Sequence, residues 1–379
     1  MHVLFLSQWY PNRYDAMPGL FVRKHAQAVV RQGVDVTVLY LHHDEHIRKE
    51  ELVEQMTNGV REVYVYYPHT LGYLKAFRHG YQYIKLKWGR PDLCQLNVIS
   101  KNGLLPLYLW KCFSIPYIIV EHWSGYLPMN RSHAISDGWH KHLMQLICRN
   151  AKVVMPVSNS LQQAMQECGF ECRRWQVIHN VVDDFFYTAQ AQNTKRQTPN
   201  TKHFIHISCF ENKSKNIKGL LRSIKELSSL RSDFHITMIG TGIDFDQDVA
   251  YAKQLGLSSL VTFTGELSPE QVAEELKHAD AMLLFSNYEN APVVISEALA
   301  VGIPVFSTNV GGIAEMVNKD CGVLVEARQE KELAQVLKQY INGNLCFDST
   351  MIRQYGEQYS FEAVGKELKS IYESAISRS

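Results

Sequence analysis

Short apolar runs recur along the chain, and segments with helical spacing of apolar positions separate them. Residues 3–7 (VLFLS) open the series as a strand. A helix over about 20–31 follows and is closed by Gly33, and DVTVLY at 35–40 is the next strand. That is a strand–helix–strand unit, the building block of a parallel sheet covered by helices. The alternation continues with strands at 62–67, 92–99, 116–122 and 151–158, and helices over about 102–112, 139–149 and from Ser158 to Glu167. It resumes with strands at 203–208, 234–240, 260–265, 279–285 and 303–307. Residues 42–58 interrupt it. They are polar and mixed in charge, and the expectation there is a loop or an exposed helix. The fold class is α/β, with two Rossmann-like doubly wound domains.

The break between the two series falls at 188–202 (TAQAQNTKRQTPNTK), whose polar, turn-rich composition is that of a linker. The reading is an N-terminal domain over 1–187, a linker over 188–202 and a C-terminal domain over 203–355. Residues 356–379, with an amphipathic helix over 359–376, stand apart as a terminal segment.

The most informative stretch is 286–317, SNYENAPVVISEALAVGIPVFSTNVGGIAEMV. Proline has its φ preset and lacks only an N–H that a helix start does not use, so Pro292 reads as the first helical residue. The helix runs through Val301 and stops at Gly302. Glu289 lies in the loop and Glu297 in the helix, among Val293, Val294, Ile295, Ala298, Leu299, Ala300 and Val301. A carboxylate on so apolar a helix needs donors. A phosphate on the free N–H groups of the helix start brings the adjoining ribose diol within reach of Glu297. The other reading is that Glu297 pairs with a buried Arg or Lys.

The spacing of Glu289 and Glu297, the Pro292 helix start and the trailing VGGIAEMV resemble the donor-site signature of the retaining glycosyltransferases of family 4 (glycosyl transferases group 1). These have the glycosyltransferase-B fold, two domains facing across a cleft. The resemblance implies that Glu289 binds donor-sugar hydroxyls and Glu297 the nucleotide ribose. The backbone at Asn290, Ala291, Val293 and Val294 would complete the donor site. Asn290-Ala291 stands where the family often has Gly-Phe. The glycine loop after the first strand maps to Gly19, with Arg23 and Lys24 just inside the helix; taken alone, these two read as a solvated face. His122 matches the strand-end histidine that contacts the donor sugar and aligns the acceptor, although Glu121 beside it is an equally placed polar residue. Lys215 matches the lysine that neutralises the donor diphosphate. Ser208-Cys209 replaces the usual Gly-Arg, with Lys213 or Lys218 as substitutes. QVIHNVVD at 176–183 resembles the phrase that ends the first domain, with Val181 in place of glycine. Thr264, Gly265 and Glu266 map to the base site, and Gly240-Thr241-Gly242 is a tight turn near it. In this fold the terminal helix crosses back onto the first domain.

These residues define the expected chemistry. His122, Glu289 and Lys215 are the catalytic candidates. Gly19, Lys215, Glu289, Asn290, Ala291, Val293, Val294 and Glu297 form the donor site. The leaving group is a nucleoside diphosphate, stabilised by Lys215 and helix-terminal N–H groups, so no metal or other cofactor is expected. The partners implied are a nucleotide-sugar and a carbohydrate or lipid-linked acceptor. Two carboxylates also suit a glycosidase, but an acid on a buried apolar helix is poorly placed for that role. A nucleotide-sugar 2-epimerase of the same fold and a two-lobed sugar-binding protein are the other classes weighed.

Composition narrows the picture further. The chain has 379 residues, 46% hydrophobic and 20% charged, with a formal net charge of +1, which argues against nucleic acid as partner. The apolar runs are shorter than the ~20 residues of a membrane span. MHVLFLSQWYPNRYD lacks a charged leader and reads as a first strand. Eight scattered cysteines without a Cys-x-x-Cys pair fit a reduced, cytoplasmic chain. Segment 69–90 has Lys75, Arg78, Lys85, Lys87 and Arg90, no acidic residue, and interleaved Tyr73, Phe77, Tyr81, Tyr83 and Trp88. It is either a helix covering the sheet or a peripheral contact with the inner face of the plasma membrane. The loop 124–137, with Pro128, Arg131 and His133, is long enough to act as an acceptor-facing flap.

Overall fold

The alternating series closes into two separate sheets. The computed structural model describes residues 1–135, 138–188 and 201–377. The chain divides into one unit of Met1–Val181 plus the segment from Phe361 on, and a second unit of Val182–Ser360. Most of the expected linker, 189–200, lies outside the described residues.

The first unit has seven strands: β1 (His2–Ser7), β2 (Asp35–His43), β3 (Glu51–Thr57), β4 (Val60–Tyr67), β5 (Leu93–Asn97), β6 (Tyr117–Glu121) and β7 (Val154–Pro156). Their order is β3-β4-β2-β1-β5-β6-β7. All neighbours are parallel except β3 and β4. Strand β3 corrects the expectation of a loop or helix over 42–58. Asn58 and Gly59 both take left-handed φ values, 49° and 82°, and close a two-residue hairpin that pairs Thr57 with Val60. On the sheet lie α1 (Leu20–Arg31), α2 (Tyr73–Trp88) and α3 (Leu104–Phe113). The helix α2 covers the sheet through Ala76, Phe77, Gly80, Tyr81 and Ile84. At Gly80 a Cβ would stand 2.6 Å from the Leu39 Cδ1 methyl and 2.9 Å from the Val65 Cγ2 methyl, so a larger residue would have to push these side chains aside.

The C-terminal helix Phe361–Ser377 packs in this unit beside α1. Phe361, Val364, Leu368, Ile371 and Tyr372 join the core of β1, β2 and α1. Lys369 Nζ donates to the Gln32 carbonyl (2.9 Å), and the Tyr372 hydroxyl to Gln95 Oε1 (2.6 Å).

The second unit has six parallel strands: β8 (Lys202–Ile207), β9 (Phe234–Ile239), β10 (Val261–Gly265), β11 (Ala281–Leu284), β12 (Val305–Thr308) and β13 (Gly322–Val325). Their order is β10-β9-β8-β11-β12-β13. Strand side chains alternate between faces. Thus Ile205, Met282 and Leu284 join one buried cluster and Phe204, Ala281 and Leu283 the other. Helices cover both faces, which is why these strands read as continuous apolar runs.

Candidate functional site

In the second unit the C-terminal ends of β8, β11 and β12 carry the loops that hold most of the candidates, where open α/β sheets place ligands. The helix after β11 is Val293–Val301, and Gly302 ends it at φ 94°. Pro292 is not its first residue, as the sequence suggests. Its ψ of 116° is extended, so it precedes the first turn as the N-cap. Glu297 therefore sits four residues from the helix start, about 6 Å along the axis. Ile295, Ser296, Ala298, Leu299, Ala300 and Val301 are buried, whereas Val293, Val294 and Glu297 are only half-buried. Positions 293 and 297 share a face. The accessible flank is thus the one that carries the candidates, with the acceptor-free N–H groups of a helix start at its upper end.

Glu289 is buried, and its Oε1 accepts from Lys215 Nζ at 2.5 Å and from Ser286 Oγ at 2.8 Å. Lys215 ends the short helix Asn212–Lys215, and Asn216 then turns through φ 50° into the helix Ile217–Ser228. Asn287 ties the two loops together. Its N–H donates to the Ser214 carbonyl (2.7 Å) and its Nδ2 to the Lys213 carbonyl (3.0 Å). On the other side, the Gly311–Gly312 turn after β12 rests on Glu289. The Gly312 N–H donates to the Glu289 carbonyl (3.3 Å), and a Cβ on Gly311 would stand 1.9 Å from that oxygen. Burial lowers the Lys215 pKa, and the charge and hydrogen bond of Glu289 more than offset this, so it ends above its ordinary value. Lys215 therefore stays charged at neutral pH.

His206, which the sequence did not bring forward, underlies this loop. Its Nδ1 meets the Leu283 carbonyl (2.9 Å) and its Nε2 meets Ser208 Oγ (2.7 Å), and burial lowers its pKa to about 4. Gly240 and Gly242 are required by internal packing. A Cβ on Gly240 would stand 1.9 Å from the Ser208 carbonyl oxygen, and one on Gly242 2.6 Å from the Phe210 nitrogen. Of the substitutes for the absent arginine, Lys213 is exposed, and Lys218 is half-buried and acts on the Asp248 carboxyl. Acidic residues do stand two apart at Asp244, Asp246 and Asp248. Asp244 accepts from the Asn212 N–H (2.7 Å) and the buried Asp248 from Asn212 Nδ2 (2.8 Å), so both brace the lysine loop.

In the first unit, Gly19 precedes α1 at φ 70°, and a Cβ there would lie 2.2 Å from the Trp9 carbonyl oxygen. The close approach that demands glycine is to the chain itself. Phe21, two residues on, lies against the His122 ring with centroids 3.9 Å apart, and His25 lies 5.7 Å from it. Burial and the neighbouring His25 hold the His122 pKa well below its ordinary value, so His122 is neutral at pH 7 and exchanges hydrogen bonds rather than charge. Glu121 takes a different role from its neighbour. Its buried carboxylate accepts the N–H groups of Ile99, His122 and Trp123, each at 2.9 Å, and the Tyr126 hydroxyl at 3.3 Å. Burial raises its pKa to about 7 against the pull of those donors. Arg23 is not a solvated residue: its Nε pairs at 2.8 Å with the buried Glu62, which also accepts from Tyr10, Gln55, Thr57 and Tyr64.

Lys215, Glu289, Asn290, Ala291, Val293, Val294 and Glu297 thus share one loop-and-helix region of the second unit, and Gly19 and His122 share one region of the first. A cation, a carboxylate and the N–H groups of a helix start thus gather at parallel-strand ends, and the protein is a glycosyltransferase. Residues 189–359 match the glycosyl transferases group 1 model and residues 19–184 the Glycosyltransferase Family 4 model, and the chain belongs to that family. It is 27% identical over 250 residues to the N-acetyl-alpha-D-glucosaminyl L-malate synthase of Bacillus anthracis, covering 62% of this chain and 63% of that one. It is 25% identical over 327 residues to the lipopolysaccharide 1,6-galactosyltransferase of Escherichia coli, covering 81% and 82% of the two chains. The crystal structure of Anabaena HepE in complex with UDP superposes with a TM-score of 0.75 at 16% identity, over 99% of this chain and 100% of that one.

Proposed function

We propose that the protein moves a sugar, with retention at the anomeric carbon and without a metal ion, from a nucleotide-sugar to a hydroxyl of a carbohydrate or lipid-linked acceptor. The product would belong to a surface polysaccharide or glycolipid, as the name of the lipopolysaccharide relative suggests. The observation that carries the reading is the Lys215–Glu289 pair beside the accessible flank of the Val293–Val301 helix. A donor diphosphate draws Lys215 and the N–H groups of Val293 and Val294, and the ribose diol meets Glu297. Glu289, released from Lys215, turns to the sugar hydroxyls. As the glycosidic bond breaks, charge grows on the phosphate oxygen, where a fixed cation and fixed dipoles are worth most. Neutral His122 aligns a hydroxyl. The acceptor attacks from the face the diphosphate leaves, and the departing phosphate takes its proton.

The experiment is a thermal-shift screen of UDP, GDP and ADP sugars, with UDP first because HepE holds it. Turnover of the donor so found follows, with the product's anomeric configuration read by NMR. Retained configuration and an unchanged rate in EDTA are expected; an inverted product or loss of activity in EDTA overturns the proposal. Work at the cytoplasmic face of a membrane, through residues 69–90, belongs to the same reading, because that is where a lipid-linked acceptor is met.

A further inference from the structure

The first unit brings two cysteines together. Cys148 lies in the last turn of the helix Trp139–Asn150, and Cys172 in the loop after the helix Asn159–Glu167. Both are free thiols, and their side chains are hydrogen-bonded to each other. Contacts on either side frame the pair. Positions 145, 148 and 149 share one face of the helix. Gln145 Nε2 donates to the Gly169 carbonyl (2.8 Å), and Arg149 Nη2 meets Glu171 Oε2 (3.3 Å). Past Cys172, the Arg174 carbonyl accepts from the Val154 N–H of β7 (2.9 Å) and from Cys172 Sγ (3.1 Å). The loop is therefore fixed to the helix before Cys172 and to the sheet after it. The nearby Cys168 is engaged elsewhere, its Sγ donating to the Tyr126 carbonyl (3.8 Å).

The two thiols differ in access. Cys148 is fully buried, whereas Cys172 is half-buried. The hydrogen bond from Cys148 lowers the Cys172 pKa below its ordinary value although burial opposes this, and the same contact raises that of Cys148. In exchange with a disulfide the thiolate is the nucleophile. A sulfur that solvent reaches, backed by a buried second thiol, is the arrangement of an attacking and a resolving cysteine.

We infer that Cys148 and Cys172 are a modification site, a dithiol that a low-molecular-weight disulfide such as glutathione disulfide closes reversibly to a protein disulfide. The Cys172 thiolate, its proton given to solvent, attacks one sulfur of the reagent. A bond from Cys172 Sγ to that sulfur forms, the reagent's S–S bond breaks, and one glutathione leaves with the electron pair and takes up a proton. Cys148 then gives its proton to solvent and attacks Cys172 Sγ. The Cys148–Cys172 bond forms, the mixed disulfide breaks, and the second glutathione leaves as thiolate and takes up a proton. Two protein thiols are oxidised and one disulfide is reduced to two thiols. The new bond ties the helix to the loop. Phe170 of that loop packs on Tyr126 with ring centroids 5.2 Å apart, and the Tyr126 hydroxyl donates to Glu121 beside His122 (3.3 Å). Closure therefore stiffens the support under that strand end. The exchange needs neither donor nor acceptor, so its failure leaves the proposed transfer chemistry standing.

The test incubates the native full chain with glutathione disulfide, then alkylates the remaining thiols and maps the peptides by mass. A Cys148–Cys172 cross-linked peptide is expected, lost again in dithiothreitol. Cys148→Ala lacks the resolving thiol and should instead hold one glutathione on Cys172. Cys172→Ala should leave Cys148 unmodified. The oxidised parent should melt about 5 °C above its reduced form, and oxidised Cys172→Ala should not. The parent alone decides the first outcome, whether or not a variant folds. Glutathione on the exposed Cys112, Cys209 or Cys346 without a cross-link overturns the inference. So does a cross-link that forms only in denaturant, or one that leaves the melting temperature unchanged.

Discussion

Lys215→Met removes the side-chain cation that touches Glu289, and its consequences separate into two parts. The first is catalytic. One preorganised charge-assisted donor to a leaving oxyanion, in a site with little water, accounts for about 10²–10³ in kcat. The second comes from what remains behind. Glu289 is buried, and without Lys215 its carboxylate keeps only Ser286 among the side-chain donors of the described residues. An anion so stranded also repels the diphosphate. Breaking a buried pair on one side costs about 3–5 kcal/mol in stability when burial is complete, and this pair, partly accessible, should show less. The single variant should therefore lose about 10³ in kcat and melt lower. Adding Glu289→Gln relieves the second part only, so the double variant should regain melting temperature and no more than about tenfold in rate. The assay is release of nucleoside diphosphate at saturating donor, with Glu289→Gln alone as the fourth corner. A Lys215→Met rate within threefold of the parent would refute the argument. Full recovery in the double variant would also refute it, because Lys215 would then only neutralise its partner.

Three other outcomes follow from the geometry. Glu297→Ala should weaken calorimetric binding of the nucleoside diphosphate ten- to a hundredfold, the scale of a lost hydrogen bond to a charged group; unchanged affinity contradicts the ribose assignment. Gly311→Ala places a methyl group 1.9 Å from the Glu289 carbonyl oxygen at φ 53° and must shift that loop. A displacement near 1 Å in a positioning element costs about 10² in rate, and a parental rate would show that the turn does not position Glu289. Finally, burial holds His25 and His206 near pKa 4, and His122 well below its ordinary value. The unfolded chain binds protons there first, so stability is present above about pH 6.5 and is lost as pH falls toward 4. Glu121, raised to about 7, acts in the opposite direction between pH 4.5 and 7. Three protons against one leave a net loss on acidification, on the order of 1.4 kcal/mol per pH unit for each net proton. A melting temperature that rises from pH 6.5 to 5 would contradict this.

The architecture was legible because buried parallel strands need unbroken apolar runs, and those runs stand out between Gly and Pro. Strand β3 was hidden because it is an edge strand: Glu51, Val53, Glu54, Gln55 and Met56 are exposed, so no apolar face advertises it. The signal that could have found it is Asn58-Gly59. Pro292 was misplaced by one position because the same fixed φ suits the N-cap and the first helical residue, and only ψ tells them apart. Among the site candidates, the resemblance to the family singled out Glu289, Glu297 and Lys215. It could not show that Lys215 and Glu289 hold each other, since that contact spans 74 residues of sequence. The same limit applied to Glu121 and Arg23. Glu121 satisfies backbone N–H groups from two strand ends, and Arg23 is fixed by a carboxylate on β4. Neither partnership leaves a trace in local pattern.

The C-terminal helix makes the first unit discontinuous in sequence. A chain truncated after Val181 would expose the side of α1 and the sheet that Phe361, Leu368 and Tyr372 now cover, and should aggregate. The stretch from Val182 to Ser360 is continuous and keeps both faces of its own sheet clothed. Any attempt to study the halves in isolation should therefore excise the second, and rebuild the first only by joining Val181 to Phe361 through a short loop.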